Sequence, residues 1–166
     1  ALKLETLDQY IAEMNCKIKY HVVEKDEKES GLRETLNLGH TVGRAVETVS
    51  GYRLLHGEAV SIGMAAQVRL SVKLGYMSEE EAKEVINLLE MAGLPTAVPD
   101  YIDREELVKK LYTDKKVRDG KLRFVLQKGI GEIVVFEDGA YATPVSEETA
   151  REIIMALPRE SFAVTT

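Results

Sequence analysis

From His56 to about Leu74 the chain carries Ala59, Val60, Ile62, Met64, Ala65, Ala66, Val68 and Leu70. On the helix this spacing predicts, apolar side chains occupy nearly every face, so that helix has to lie buried at the centre of the fold. Gly57 and Gly63 would let a neighbouring helix approach closely, and Gly75 stops it. The rest of the chain must form a shell around this element. At 166 residues there is enough chain for one domain with a sizeable core.

The elements predicted around it are mostly helical. Leu4, Leu7, Ile11 and Met14 recur at helical spacing and give an amphipathic first helix. Between Lys17 and Val23 the pattern is ambiguous, because Ile18, Tyr20 and Val22 alternate as in a strand. The acidic run from Glu24 to Glu29 reads as a solvated turn. A helix is expected from about Leu32 to Val49, stopped by Ser50-Gly51-Tyr52. Ser78-Glu79-Glu80-Glu81 is a capping-box signature, and the helix it opens ends at Gly93-Leu94-Pro95. Asp103 caps another helix reaching about Tyr112. Lys121–Leu126 and Glu132–Phe136 read as a small β-hairpin around Gly129 and Gly131. Val145-Ser146-Glu147-Glu148 opens a last helix ending before Pro158, with residues 159–166 as a frayed tail. The expected architecture is mainly α: a helical bundle over residues 1–158 with one small β-hairpin.

Charge and cysteine content narrow the function. Twenty-two basic against 28 acidic residues give a net charge of −6, which argues against a general nucleic-acid surface. Cys16 is the one cysteine; it excludes an internal disulfide, suits a reducing compartment and is expected to be a buried thiol. No apolar run reaches membrane-spanning length and no charged-then-apolar signal opens the chain, so the sequence reads as cytoplasmic.

The chemistry concentrates in Arg33-Glu34-Thr35-Leu36-Asn37-Leu38-Gly39-His40-Thr41-Val42-Gly43-Arg44 and in His56-Gly57-Glu58-Ala59. On one continuous helix, at about 100° per residue, positions 33, 37, 40 and 44 share an arc of roughly 60°. His40 and His56 on adjacent helices are the start of a zinc-type site. The bland alternative makes each a packing histidine satisfied by one hydrogen bond. A third ligand is lacking, since the neighbours of His21 mark it as a surface or packing residue. Glu47 and Glu58 are candidate carboxylates, although Glu58 near a helix start is equally a favourable dipole contact. Arg33, Asn37 and Arg44 suit an oxyanion clamp, because guanidinium groups bind carboxylate or phosphate in a bidentate way. The competing reading for Arg44 is an i,i+3 pair with Glu47. Lys115-Lys116 would add positive charge or simply be solvated. No Walker or Rossmann glycine pattern is present.

Taken together, these residues resemble a known family. Lys19; Asp26-Glu27-x-Glu29-x-Gly31-Leu32-Arg33-x-x-Leu36-Asn37-Leu38-Gly39-His40-Thr41; His56-Gly57-Glu58-Ala59-Val60-x-x-Gly63-Met64; Asp114-Lys115-Lys116; and Gly120-Lys121-Leu122-Arg123-Phe124-Val125-Leu126 with Ile130-Gly131 are similar to 3-dehydroquinate synthase. The resemblance covers most of the chain. It implies the helical C-terminal domain of the dehydroquinate synthase/glycerol dehydrogenase-like fold, lacking its first helices and an N-terminal NAD-binding domain. It also implies an exposed apolar surface where that domain would pack, and a homodimer for the full-length enzyme.

By the same resemblance His40 and His56 are two of three ligands of zinc or cobalt, the third being a glutamate that would precede residue 1. One catalytic lysine and the dinucleotide site would precede it too. Lys19 and Arg33 resemble residues that hold the substrate carboxylate, and Asn37 and Lys116 resemble phosphate binders. Glu29 matches a glutamate beside the metal. The implied reaction converts 3-deoxy-D-arabino-heptulosonate 7-phosphate to 3-dehydroquinate and phosphate in the shikimate pathway, with NAD transiently oxidising a secondary alcohol. The isolated chain is expected to be inactive. Arg44 departs from the family, which has a histidine there; arginine keeps an anion contact but cannot exchange protons near neutral pH. The alternatives are a related sugar-phosphate cyclase and a free-standing helical metal-binding module. A glycerol-dehydrogenase-like domain would have no use for the Arg-Asn clamp.

Overall fold

The computed structural model describes residues 9–28, 31–113 and 122–161. Among the described residues six α-helices dominate: α1 (Gln9–Lys25), α2 (His40–Val49), α3 (His56–Lys73), α4 (Glu79–Met91), α5 (Arg104–Thr113) and α6 (Glu147–Ala156). A 3-10 segment (Leu32–Asn37) precedes α2. Strand β1 (Val98–Pro99) pairs in parallel with β4 (Arg159–Glu160), and β2 (Leu122–Val125) pairs antiparallel with β3 (Ala142–Val145).

Helix α3 is the centre, as its sequence requires. Ala59, Ile62, Ala65, Ala66, Val68 and Leu70 are all buried, and Ser61, Gln67 and Ser71 are buried with them. One core joins α3 to α2 through Val42, Ala45 and Val46, and to α5 and α6 through Leu107, Leu111 and Ile154. Burying each such Leu or Ile side chain contributes about 1.5–3 kcal/mol. A second, smaller cluster packs Val68 of α3 against Met77, Ala82 and Val85 at α4. The predicted capping box is formed: the Ser78 hydroxyl accepts from the Glu81 N–H, and the Glu81 carboxylate accepts from the Ser78 N–H.

Helix α3 touches α2 almost backbone to backbone. A Cβ on Gly63 would lie 1.9 Å from the carbonyl oxygen of Gly39 and 2.7 Å from the Gly43 nitrogen. Gly57, expected to serve the same purpose, faces open space.

Several expectations are corrected. The alternating stretch Lys17–Val23 is helical, because α1 runs through it to Lys25. Cys16 on α1 is exposed, not buried. The expected helix from Leu32 to Val49 is broken at Leu38-Gly39, where Gly39 adopts φ 72°, a left-handed conformation that glycine accepts without steric cost. The expected hairpin is re-paired. Leu122–Val125 takes Ala142–Val145 as its partner, and the 132–136 segment keeps a single bridge, Gln127 with Ile133. Arg159 and Glu160, placed in the tail by sequence, form β4. The start of the predicted first helix, before Gln9, lies outside the described residues.

Candidate active site

The break at Gly39 decides where the polar residues go. Arg33 and Asn37 sit on the 3-10 segment, and His40 begins α2. The four residues at 33, 37, 40 and 44 therefore do not share one helical stripe. The 3-10 segment is anchored by Asp26, whose buried Oδ2 accepts the backbone N–H groups of Gly31 and Arg33, each at 2.8 Å. The acidic run is thus not wholly solvated. The Arg33 guanidinium donates from Nη1 to the Glu27 carbonyl at 3.1 Å, which holds its stem against the same turn. Asn37 is half-buried beside Gly39, Thr41, Gly63, Gln67 and Phe124, in a crevice without room for a water molecule. Thr41 ties α2 to β2 by donating to the Arg123 carbonyl at 3.1 Å.

His40 and His56 come together. Their ring centroids are 5.3 Å apart, with the planes tilted by 56°. His40 Nδ1 lies 3.0 Å from the Leu38 carbonyl oxygen, which can only accept. The proton is therefore on Nδ1, and Nε2 is the basic nitrogen of the neutral ring. His56 Nδ1 faces Glu47 Oε2 at 3.3 Å, which assigns the same tautomer. Two imidazoles this close, each with Nδ1 held by an oxygen, have the donor chemistry of two legs of a zinc or cobalt site. Among the described residues no group of three His, Cys, Asp or Glu could hold a metal ion.

The remaining candidates are scattered more widely. Arg44 is exposed and makes no hydrogen bond or ion pair through its side chain among the described residues, so the i,i+3 pair with Glu47 does not form. Lys19 is exposed on α1. His21 is exposed as well, in keeping with a surface role. Glu58 is spent on its own helix start, where Oε2 accepts the Leu55 N–H at 2.7 Å. Glu29, Lys115 and Lys116 lie outside the described residues. The roomier open groove, about 550 Å³, is lined by Glu58, Glu90 and Glu160 and is unsuited to an anion. Two contributors went unrecognised in the sequence reading: Asp26, hidden in a charge run, and Glu47 as the partner of His56.

Solved structures similar in fold to this chain include two sugar-phosphate cyclase-type synthases. A 2-deoxy-scyllo-inosose synthase complexed with carbaglucose-6-phosphate, NAD+ and Co2+ is 24% identical with a TM-score of 0.74, covering 84% of this chain and 38% of that one. The 2-epi-5-epi-valiolone synthase of Streptomyces hygroscopicus subsp. jinggangensis 5008, with NAD+ and Zn2+ bound, is 27% identical with a TM-score of 0.65, covering 81% and 36%. The chain shares the mainly helical fold of the corresponding part of these synthases.

The particular family is shown by sequence. Residues 1–117 match the model of the 3-dehydroquinate synthase C-terminal domain. The 3-dehydroquinate synthase of Synechococcus sp. is 45% identical over 148 residues, which is 89% of this chain and 39% of the relative. That of Acetivibrio thermocellus is 48% identical over 131 residues, 78% of this chain and 36% of the relative. The chain belongs to the 3-dehydroquinate synthase family and spans about two fifths of the length of these relatives.

Proposed function

We propose that this chain is the C-terminal part of a 3-dehydroquinate synthase, a lyase acting in the shikimate pathway on 3-deoxy-D-arabino-heptulosonate 7-phosphate. The observation that carries the proposal is the His40–His56 pair, 5.3 Å between rings, next to the anchored Arg33–Asn37 segment. His40 and His56 are the ligands this chain offers to zinc or cobalt, with a further ligand from outside it. When bound, the metal supplies Lewis-acid polarisation of a substrate oxygen. Arg33 and Lys19 bind the carboxylate, and Asn37 with Lys116 binds the phosphate. Arg44, exposed one turn after His40, adds a fixed positive charge toward the phosphate and holds its proton throughout. Glu29 enters this reading only through its match to the family's glutamate in the motif.

An NAD-binding half completes the site from outside this chain. Two exposed pairs on α1, Tyr10 with Ile11 and Ile18 with Tyr20, support a surface made to be covered by such a half. No helix among the described residues is long and apolar enough to cross a membrane, and the single exposed cysteine suits a reducing compartment, which supports a cytoplasmic enzyme.

The test is an assay of the full-length enzyme with NAD and zinc against the seven-carbon acid phosphate and against sugar phosphates without a carboxylate. Release of phosphate with formation of 3-dehydroquinate is expected from the first alone, and R33A should raise its KM at least tenfold. Turnover of only the uncarboxylated substrates would replace the proposal with another cyclase activity. Turnover by the isolated chain would overturn its dependence on the NAD-binding half.

A further inference from the structure

Glu47 belongs neither to the histidine pair nor to the anion clamp, yet its position is unusually determined. It lies on α2 two turns after His40, on the same face. Its backbone carbonyl accepts twice from the turn that leaves α2, from the Ser50 hydroxyl at 2.8 Å and from the Tyr52 N–H at 3.0 Å. Tyr52 takes φ 60° to make that turn, a left-handed conformation rare for a side chain of its size. The reversal returns the chain to the start of α3, where His56 Nδ1 meets Glu47 Oε2 at 3.3 Å. Glu47 is three-quarters covered, whereas His56 is 57% exposed, so the carboxylate is the fixed member of the contact.

We propose that Glu47 is a positioning residue: its carboxylate holds the proton of His56 on Nδ1 and fixes the ring plane, so that Nε2 is presented as the metal-binding nitrogen. This rests on the reading of His56 as a ligand. The two nitrogens of an imidazole point away from each other, so a carboxylate seated on Nδ1 stands on the opposite edge from a metal on Nε2. That geometry makes Glu47 a support of the ligand instead of the missing third ligand. The Leu38 carbonyl does the same for His40, and outer partners of this kind set both tautomer and ring orientation at histidine metal sites.

The experiment reads the tautomers of both histidines by long-range proton–nitrogen NMR in the metal-free full-length enzyme with labelled histidine, about two pH units above the ordinary histidine pKa. The wild type is expected to show Nδ1–H at His56, and E47A is expected to shift His56 toward Nε2–H. His40, held by Leu38, should not change and reports an intact fold. A His56 tautomer unchanged in E47A overturns the proposal. Should the alanine variant lose the fold, E47Q carries the test. It keeps the shape but not the charge, so the His56 Nδ1 proton resonance should move upfield, and an unmoved resonance overturns the proposal equally. In the full-length enzyme, E47A should weaken zinc binding by about 10–100-fold. Because the tautomer is read without metal, its failure is distinct from failure of the ligand assignment, which zinc binding by H56A reads separately.

Discussion

A Cβ on Gly63 would fall 1.9 Å from the carbonyl oxygen of Gly39, so α2 and α3 meet at a distance that only glycine permits. This contact sits immediately beside His40 and sets how the start of α2 faces α3. G63A must push the two helices apart. Overpacking of this kind costs about 1–3 kcal/mol, and backbone on both sides favours the upper end or beyond. Urea denaturation should show the loss, and zinc affinity in the full-length enzyme should fall with it. G57A, at a position facing open space, should show neither effect.

Asp26 supports Arg33 through the backbone. Its Oδ2 accepts two backbone N–H groups at 2.8 Å, one of them from Arg33. D26A leaves two partly buried donors without their acceptor, at a cost of about 1–3 kcal/mol each in the absence of replacement water. In the full-length enzyme the variant should raise KM for the acid phosphate more than it lowers kcat. A kcat effect with unchanged KM would remove Asp26 from any role in placing Arg33.

The pair of Glu105 on α5 and Arg151 on α6 gives the fold an acid-sensitive joint. Two hydrogen bonds from the Arg151 guanidinium, one at 2.6 Å, hold the Glu105 carboxyl below the usual range. A carboxyl lowered in the folded state adds stability above its ordinary pKa, and that stability is lost as pH falls through the lowered folded value. E105Q should therefore flatten the acid limb of the stability curve. Adding R151M should change little further, since only the weaker attraction to Glu147 remains to be lost. Both partners are exposed, so the effect will be small and will shrink in salt.

Arg44 offers a test in the opposite direction. It is a permanent cation where the family resemblance implies a histidine. R44H in the full-length enzyme introduces a group with an ordinary pKa of about 6.5, and the profile of kcat against pH should gain an inflection in that region. An unchanged profile would mean that position 44 takes no part in proton movement.

The central helix was legible because its apolar residues leave no face for solvent; Ile62, Val68 and Leu70 lie where that pattern requires. That His40 and His56 would face each other was legible for a different reason, each lying in its own short motif. What escaped sequence reading was set by long-range pairing or by backbone geometry. The strand 122–125 has two candidate partners of similar character, and only the tertiary fold selects 142–145 over 132–136. Periodicity runs smoothly across Leu38-Gly39, and the positive φ of Gly39, packed against α3 at Val60 and Met64, is what breaks it. Glu47 looked like a partner for Arg44 three residues away, yet the turn through Tyr52 brings His56 to it. Asp26 was masked by the charges around it.

The most direct measurement of the account is the metal content of the full-length enzyme and of its H40A and H56A variants, by elemental analysis after purification in zinc or cobalt. Stoichiometric metal in the wild type and its loss in either variant is the predicted result, with the fold retained by circular dichroism. Full metal occupancy in the H40A/H56A double variant would contradict the assignment of this histidine pair.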